Sequence, residues 1–136
     1  MSFEIDITLD RGDRRIAASF DASGALTALF GRSGIGKTSV LDMIAGLLTP
    51  ARGRISVAGH LLFDADKRIN LPPEARGCGY VFQDNRLFPH MRVRDNLLYG
   101  ATRARSAHRW MTLDEACGFL GIADLLDRMP ATLSGG

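Results

Sequence analysis

Apolar and polar residues alternate one by one over the first ten positions: Phe3, Ile5, Ile7 and Leu9 stand between Glu4, Asp6, Thr8 and Asp10. A period of two puts the apolar side chains on one face of an extended chain, which predicts a half-buried strand. Arg11-Gly12-Asp13 reads as a turn, and Ile16, Ala18 and Phe20 then alternate again, so the two runs predict an antiparallel hairpin. Beyond a second turn at Asp21-Ala22-Ser23-Gly24 the pattern changes. Residues 26–30 are apolar almost without a break, as in a strand covered on both faces. Val40, Leu41, Ile44, Leu47 and Leu48 recur at helical spacing. That helix is expected to stop near Leu48, because Thr49 precedes Pro50 and pre-proline residues avoid helical geometry.

Residues 53–59 and 61–63 read as two short strands, and residues 64–73, polar and with two prolines, read as a loop. Gly79-Tyr80-Val81-Phe82 returns to strand character and delivers Gln83 at its end. Ligands of open α/β sheets meet the protein at the carboxyl ends of strands, so Gln83 is expected to face one. From Val93 onward the pattern is helical. Thr112-Leu113-Asp114-Glu115 has the form of a capping box, opening a helix that Gly121 closes. Trp110, Leu113, Ala116 and Leu120 recur at helical spacing, with core packing as their plain reading, and Ile122, Leu125 and Leu126 suggest a further short helix. No internal repeat or low-complexity segment is visible.

Bulk properties narrow the classes without choosing among them. With 136 residues, 46% of them hydrophobic, one core is expected. The net charge of +2, with mixed signs, gives no nucleic-acid tail. Cys78 and Cys117 fit neither a metal spacing nor a disulfide framework, which suits reduced thiols in a cytoplasmic setting. His60, His90 and His108 are scattered. No apolar run approaches the ~20 residues that cross a bilayer, and the first residues do not have the form of a signal peptide, so a soluble chain is expected.

Candidate chemistry is concentrated in Gly31-Arg32-Ser33-Gly34-Ile35-Gly36-Lys37-Thr38, which reads G-x-x-x-x-G-K-T. Chance gives this pattern in about one chain in two hundred of this length, and the strand before it and helix after it are the context it requires. The glycines permit backbone angles and close approaches that a Cβ would block. The helix start at Gly36 to Ser39 aims unpaired N–H groups and the positive end of the helix dipole at an anion. The Lys37 ammonium suits β- and γ-phosphates, Thr38 Oγ1 suits Mg²⁺, and Ser39 can reach an α-phosphate. A plain strand-to-helix turn would need the glycines, but not a lysine and a hydroxyl directly after them.

Three landmarks in one order, the phosphate loop, Tyr80-Val81-Phe82-Gln83 and Leu133-Ser134-Gly135-Gly136, resemble the nucleotide-binding subunit of ATP-binding-cassette (ABC) transporters. Gln83 matches the family's Q-loop glutamine and Leu133 to Gly136 the start of its LSGGQ signature. The resemblance implies an α/β fold of the P-loop NTPase type. An N-terminal antiparallel β hairpin and a partial parallel core sheet would be followed by a helical subdomain. Residues 1–83 would form the α/β core and 84–136 the helical part, together one partial nucleotide-binding domain. Three further stretches, residues 60–66, 79–90 and 93–97, are most similar to the ATPases of molybdate import. Importer ATPases for sulfate, iron and polyamines share Gln83 and Leu87-Phe88-Pro89-His90, but are less similar around Phe63-Asp64.

By that resemblance the ligands are ATP and Mg²⁺. The nucleotide contacts are residues Gly31, Arg32, Ser33, Gly34, Ile35, Gly36, Lys37, Thr38 and Ser39, with Lys37 and Gln83 catalytic and Thr38 and Gln83 at the metal. Leu133, Ser134, Gly135 and Gly136 would act in trans, on the γ-phosphate held by a second copy in a homodimer. The remaining partners implied are integral membrane permease subunits, touched through Leu87, Phe88 and Pro89, and indirectly an external binding protein that selects the ion. No nucleic acid is implied, and the place would be peripheral, on the cytoplasmic face of the inner (plasma) membrane. Leu87-Phe88-Pro89 can equally be an apolar loop packed on its own domain.

The pattern departs from the family in two respects. These 136 residues contain no apolar strand ending in Asp-Glu and no switch histidine, and Asp84 follows Gln83 on a loop. Negligible ATP hydrolysis by this stretch, and poor folding of it alone, are therefore expected. The turn Arg11-Gly12-Asp13-Arg14-Arg15 also lacks the aromatic residue that many members stack on adenine, so an arginine face could stack instead, or the base be held loosely. Two other readings stay open. A small P-loop kinase would use Arg103, Arg105 and Arg109 as a lid, although with Trp110 these also read as a solvated helix face. A nucleotide-binding fragment would bind without turnover.

Overall fold

A computed structural model describes residues 2–84, 86–101 and 111–134. The chain divides into two compact units, residues 1–80 and 81–136. Trp110, with Arg103, Arg105, Arg109 and His108, lies outside the described residues, as do Asn85, Gly135 and Gly136.

The first unit is a five-stranded antiparallel sheet with one helix. Strands β1 (Ser2–Arg11) and β2 (Arg14–Ser23) form the hairpin that the alternation requires, with Ile5 opposite Phe20 and Leu9 opposite Ile16. β3 (Arg52–Val57) pairs with the other edge of β1, placing Ile55 opposite Ile5. β4 (His60–Asp64) and β5 (Ile69–Asn70) follow, for a strand order β2-β1-β3-β4-β5. Helix α1 (Lys37–Ala45) sets Val40 and Met43 into a core with Ile5, Ile7, Ile55, Leu62 and Phe63.

The structure departs from the sequence pattern at four places. The sheet is antiparallel throughout, where a partial parallel core was expected. Residues 26–30 and 79–82 are extended but join no strand ladder among the described residues. Leu26 and Val81 are 91% and 97% exposed, and Phe30 is fully exposed, where a strand covered on both faces was expected. An apolar run marks a segment that needs burial; it becomes a buried strand only if neighbours supply its ladder and cover its faces. The third difference is the end of α1, at Ala45 and not near Leu48. Gly46 takes a left-handed conformation (φ 84°), and the N–H groups of Leu47 and Leu48 both turn back to the carbonyl of Asp42. Finally, the loop expected over 64–73 holds β5 and, at its end, enters a 3₁₀ turn over Pro73–Ala75.

The second unit contains α2 (Val93–Leu98), α3 (Leu113–Leu120) and 3₁₀ turns at Ala123–Leu125 and Pro130–Thr132. Its core is Val93, Cys117 and Leu126, with Leu113, Ile122 and Leu133 packed against them. Thr112 forms the capping box with Glu115, and Gly121 closes α3 with φ 67°. The start of α2 is held by backbone bonds from Val93 N–H to Arg128 O (3.0 Å) and from Arg94 N–H to Leu126 O (2.9 Å). Among the described residues no helix is long and apolar enough to cross a membrane.

Candidate functional site

Residues 31–36 bring the chain from the extended segment to the N-terminus of α1. The last of them, Gly36, has φ 108° and ψ 15°, a left-handed turn that an L side chain resists. A Cβ there would also lie 2.9 Å from Ile16 Cγ2 of β2. The glycine therefore does two jobs: it turns the backbone into the helix and lets the loop rest on the hairpin. Helix geometry leaves the first N–H groups of α1 without intrahelical carbonyls, and the positive end of the helix dipole lies with them. Lys37 folds back over the loop, donating from Nζ to Gly31 O (2.8 Å) and Arg32 O (2.9 Å). Its ammonium thus stands on the loop that precedes the helix. Thr38 is exposed on the first turn and Ser39 is half-buried.

A cleft of about 820 Å³ opens between this loop and the β1–β2 turn. It is lined by Arg32, Ser33, Gly34, Ile35, Gly36 and Ser39 on one side and by Arg11, Arg14, Arg15 and Ile16 on the other. Loop amide groups, hydroxyls and four guanidinium groups around one space suit a flexible, strongly anionic ligand such as a triphosphate. Of the residues expected at the phosphates, Gly31, Lys37 and Thr38 belong to the same loop and helix start as those lining the cleft. The arginine wall was foreseen only as a possible stacking face.

Two interactions that the sequence pattern does not reveal hold α1 in place. Tyr80 Oη donates to Asp42 Oδ1 at 2.6 Å, tying the middle of the helix to the segment before Gln83. Arg76, 8% exposed, donates from Nη1 to the carbonyls of Met43 (2.8 Å) and Ile44 (2.9 Å), from Nε to Leu71 O (2.8 Å) and from Nη2 to Asn70 Oδ1 (2.8 Å). A cation at the C-terminus of a helix meets the negative end of its dipole and its unpaired carbonyls. Burial pulls Arg76 below the usual guanidinium pKa, with Cys78 opposing. The partners of Arg76 on α1 are more than thirty residues away in sequence, so no local signal marks the contact.

Gln83 sits exposed in a bend of the second unit and does not end a sheet strand, contrary to expectation. The loop that carries it is closed by Arg86, whose guanidinium stacks over the Phe82 ring at 4.0 Å. Leu87, Phe88 and Pro89 are exposed, and Phe88 packs against Tyr99 with ring centroids 4.5 Å apart and planes tilted by 47°. Asn96 fixes this loop from α2: its Oδ1 accepts from Phe88 N–H (2.7 Å), and its Nδ2 donates to the carbonyls of Phe88 (3.2 Å), Met91 (3.0 Å) and Arg92 (3.1 Å). At the far end, Leu133 packs on the unit's core and Ser134 is exposed. Asp64 closes β4 and is buried, but its carboxylate serves the following turn, accepting from Lys67 N–H at 3.0 Å. Among the described residues no cluster of His, Cys, Asp and Glu could hold a metal.

Comparison with known proteins agrees with this geometry. The family model described as ABC transporter matches residues 18–136. The chain is 52% identical over 133 residues to the molybdenum import ATP-binding protein ModC of Paramagnetospirillum magneticum, covering 98% of this chain and 37% of that protein. It is 57% identical over 123 residues to the protein of the same name from Brucella melitensis, covering 89% of this chain and 33% of that one. The chain thus spans about a third of the length of these relatives. Among solved structures, the dimeric structure of a bacterial ABC transporter cassette matches with a TM-score of 0.64 at 22% identity, covering 99% of this chain and 64% of that chain. A post-hydrolysis state of the same cassette, bound to ADP and Pi, matches with the same TM-score at 23% identity. At such identities these two structures speak for the fold.

Proposed function

The chain belongs to the ABC transporter family, and from that premise we propose that it is the nucleotide-binding part of the ATPase subunit of an importer for molybdenum in its oxyanion form, molybdate. The observation that carries this reading is the pairing of a complete phosphate loop, glycine-turned onto a helix N-terminus beside Lys37, with about 50% identity to molybdenum import ATP-binding proteins over nearly all of the chain.

The charge placement supports a mechanism of phosphate capture. A triphosphate entering the cleft meets the N–H groups of the loop and the N-terminus of α1, contributed by Gly31, Arg32, Ser33, Gly34, Ile35, Gly36, Lys37, Thr38 and Ser39. Lys37 exchanges two neutral carbonyl acceptors, Gly31 O and Arg32 O, for β- and γ-phosphate oxygens, a charge-assisted and therefore stronger pairing. The exposed Thr38 hydroxyl and the Gln83 amide oxygen are hard donors of the kind Mg²⁺ takes, and bound Mg²⁺ would neutralise charge on the phosphates. Gln83 orients the attacking water. Ser134 with Gly135 and Gly136 serves the nucleotide of a second copy. Residues 1–83 form the core of this domain and 84–136 its helical part.

The exposed Leu87-Phe88-Pro89 loop, braced by Asn96 and Tyr99, offers an apolar contact for permease subunits in the membrane. Through that contact the protein would sit peripherally at the cytoplasmic face of the inner membrane, with an external binding protein acting through the permease. Taken alone, the 136 residues bind nucleotide without sustained turnover. The one acidic residue that ends a buried strand among those described, Asp64, is committed to its own turn.

Two measurements test the reading. Cells whose gene carries Lys37→Ala should lose molybdenum accumulation from trace molybdate while keeping sulfate and iron uptake; unchanged molybdenum uptake would refute it. The 136-residue polypeptide should bind ATP at equilibrium and release no more than about one phosphate per site. Steady turnover that Lys37→Ala abolishes would contradict the second claim.

A further inference from the structure

The wall of the cleft opposite the phosphate loop is made of three arginines and Ile16, and among the residues that line the cleft there is no aromatic ring. Strand register sorts these arginines. Arg11 lies opposite Arg14, and the same ladder runs on through Leu9 opposite Ile16 and Ile7 opposite Ala18. Directly opposed residues share a face, and so do alternate residues along a strand. Ile16 is the residue that rests against Gly36. Arg11 and Arg14 therefore extend the face that meets the phosphate loop. Arg15 pairs with Asp10 on the other face, with Nε 4.0 Å from Oδ1, and reaches the cleft from its rim.

We propose that Arg11 and Arg14 hold the base of the nucleotide by laying a flat guanidinium on the flat ring, so that the site accepts purine nucleoside triphosphates without separating adenine from guanine. The inference rests on the nucleotide reading given above. A guanidinium is planar and weakly hydrated, which lets it stack on a ring as an ammonium does not. A stack senses the face of a base, and every base has one. Telling adenine from guanine requires donors and acceptors placed at the ring edge, where the wrong base would leave a buried group unpaired. The hydroxyls lining this cleft, Ser33 and Ser39, belong to the phosphate loop and its helix, and the wall across from them carries side-chain donors only from arginine.

Competition against a fluorescent ATP analogue, on the chain and on the double variant Arg11→Lys/Arg14→Lys, decides the matter. ATP and GTP should bind within about threefold of each other. The lysine pair keeps the charge and removes the planar faces, so it should weaken both nucleotides by about three- to tenfold and leave inorganic tripolyphosphate within about twofold. A preference for ATP over GTP beyond about tenfold, unchanged nucleotide affinity in the lysine pair, or an equal loss of tripolyphosphate would each overturn the proposal. If the parent chain binds neither nucleotide nor tripolyphosphate, or binds both undiminished in Lys37→Ala, the nucleotide reading fails and takes this inference with it. Arg11 and Arg14 are exposed, and matching thermal unfolding curves separate a binding effect from a folding one.

Discussion

Arg76 carries a full charge into the interior and meets four acceptors with its three nitrogens, two of the four being carbonyls at the end of α1 that share Nη1. Truncation would take the donor from Ile44 O and leave Met43 O only the 3.3 Å bond from Gly46 N–H. Arg76→Met, which keeps much of the volume, is expected to cost about 1–3 kcal/mol; a urea midpoint that does not move would show the contacts to be dispensable. At this scale the sequence is informative where function is local. Lys37 and Thr38 are legible because their neighbours in the chain are also their neighbours in space. Arg76, Asn96 and the Tyr80–Asp42 bond are not, because each is defined by partners that only the fold brings near, or, for Asn96, by a loop conformation with no sequence signature.

Elements divide along the same line. The hairpin, α1, the two following strands and the capping box of α3 are written in period and in caps, and they form. The strands expected at residues 26–30 and 79–82 rest on apolarity, which says that a segment wants cover but not what covers it. The capping box lends itself to titration. Thr112 donates to Glu115 from its N–H (2.8 Å) and its hydroxyl (2.7 Å), and these bonds hold the Glu115 carboxyl below its ordinary pKa. A depressed carboxylate stabilises the fold above its unfolded pKa, about 4.3, and that contribution is lost as the pH falls through the lower folded value. Thermal melts from pH 6 to 3 should therefore slope less steeply in Glu115→Gln than in the parent. Equal slopes would mean that the box is not formed in solution.

For the molecule as a whole, family and fold are clear while much apolar surface stays open. Leu26, Phe30 and Val81 are almost fully accessible, and Phe119 is 83% exposed. The 136-residue polypeptide is accordingly expected to enhance the fluorescence of an apolar dye in its native buffer and to self-associate as its concentration rises. A monomer silent to the dye at high concentration would show that these side chains find cover in solution. Arg76 reaches further than its own contacts, because a Cβ on Gly46, the left-handed residue that ends α1, would fall 2.6 Å from its Nε. The two positions are thus not free to change in either order. Gly46→Ala made first meets both the strained backbone and the guanidinium; made after Arg76→Ala it meets the backbone alone. A double-mutant cycle should return a coupling of about 0.5–3 kcal/mol, and an evolving lineage would sooner lose the arginine before the glycine than the reverse.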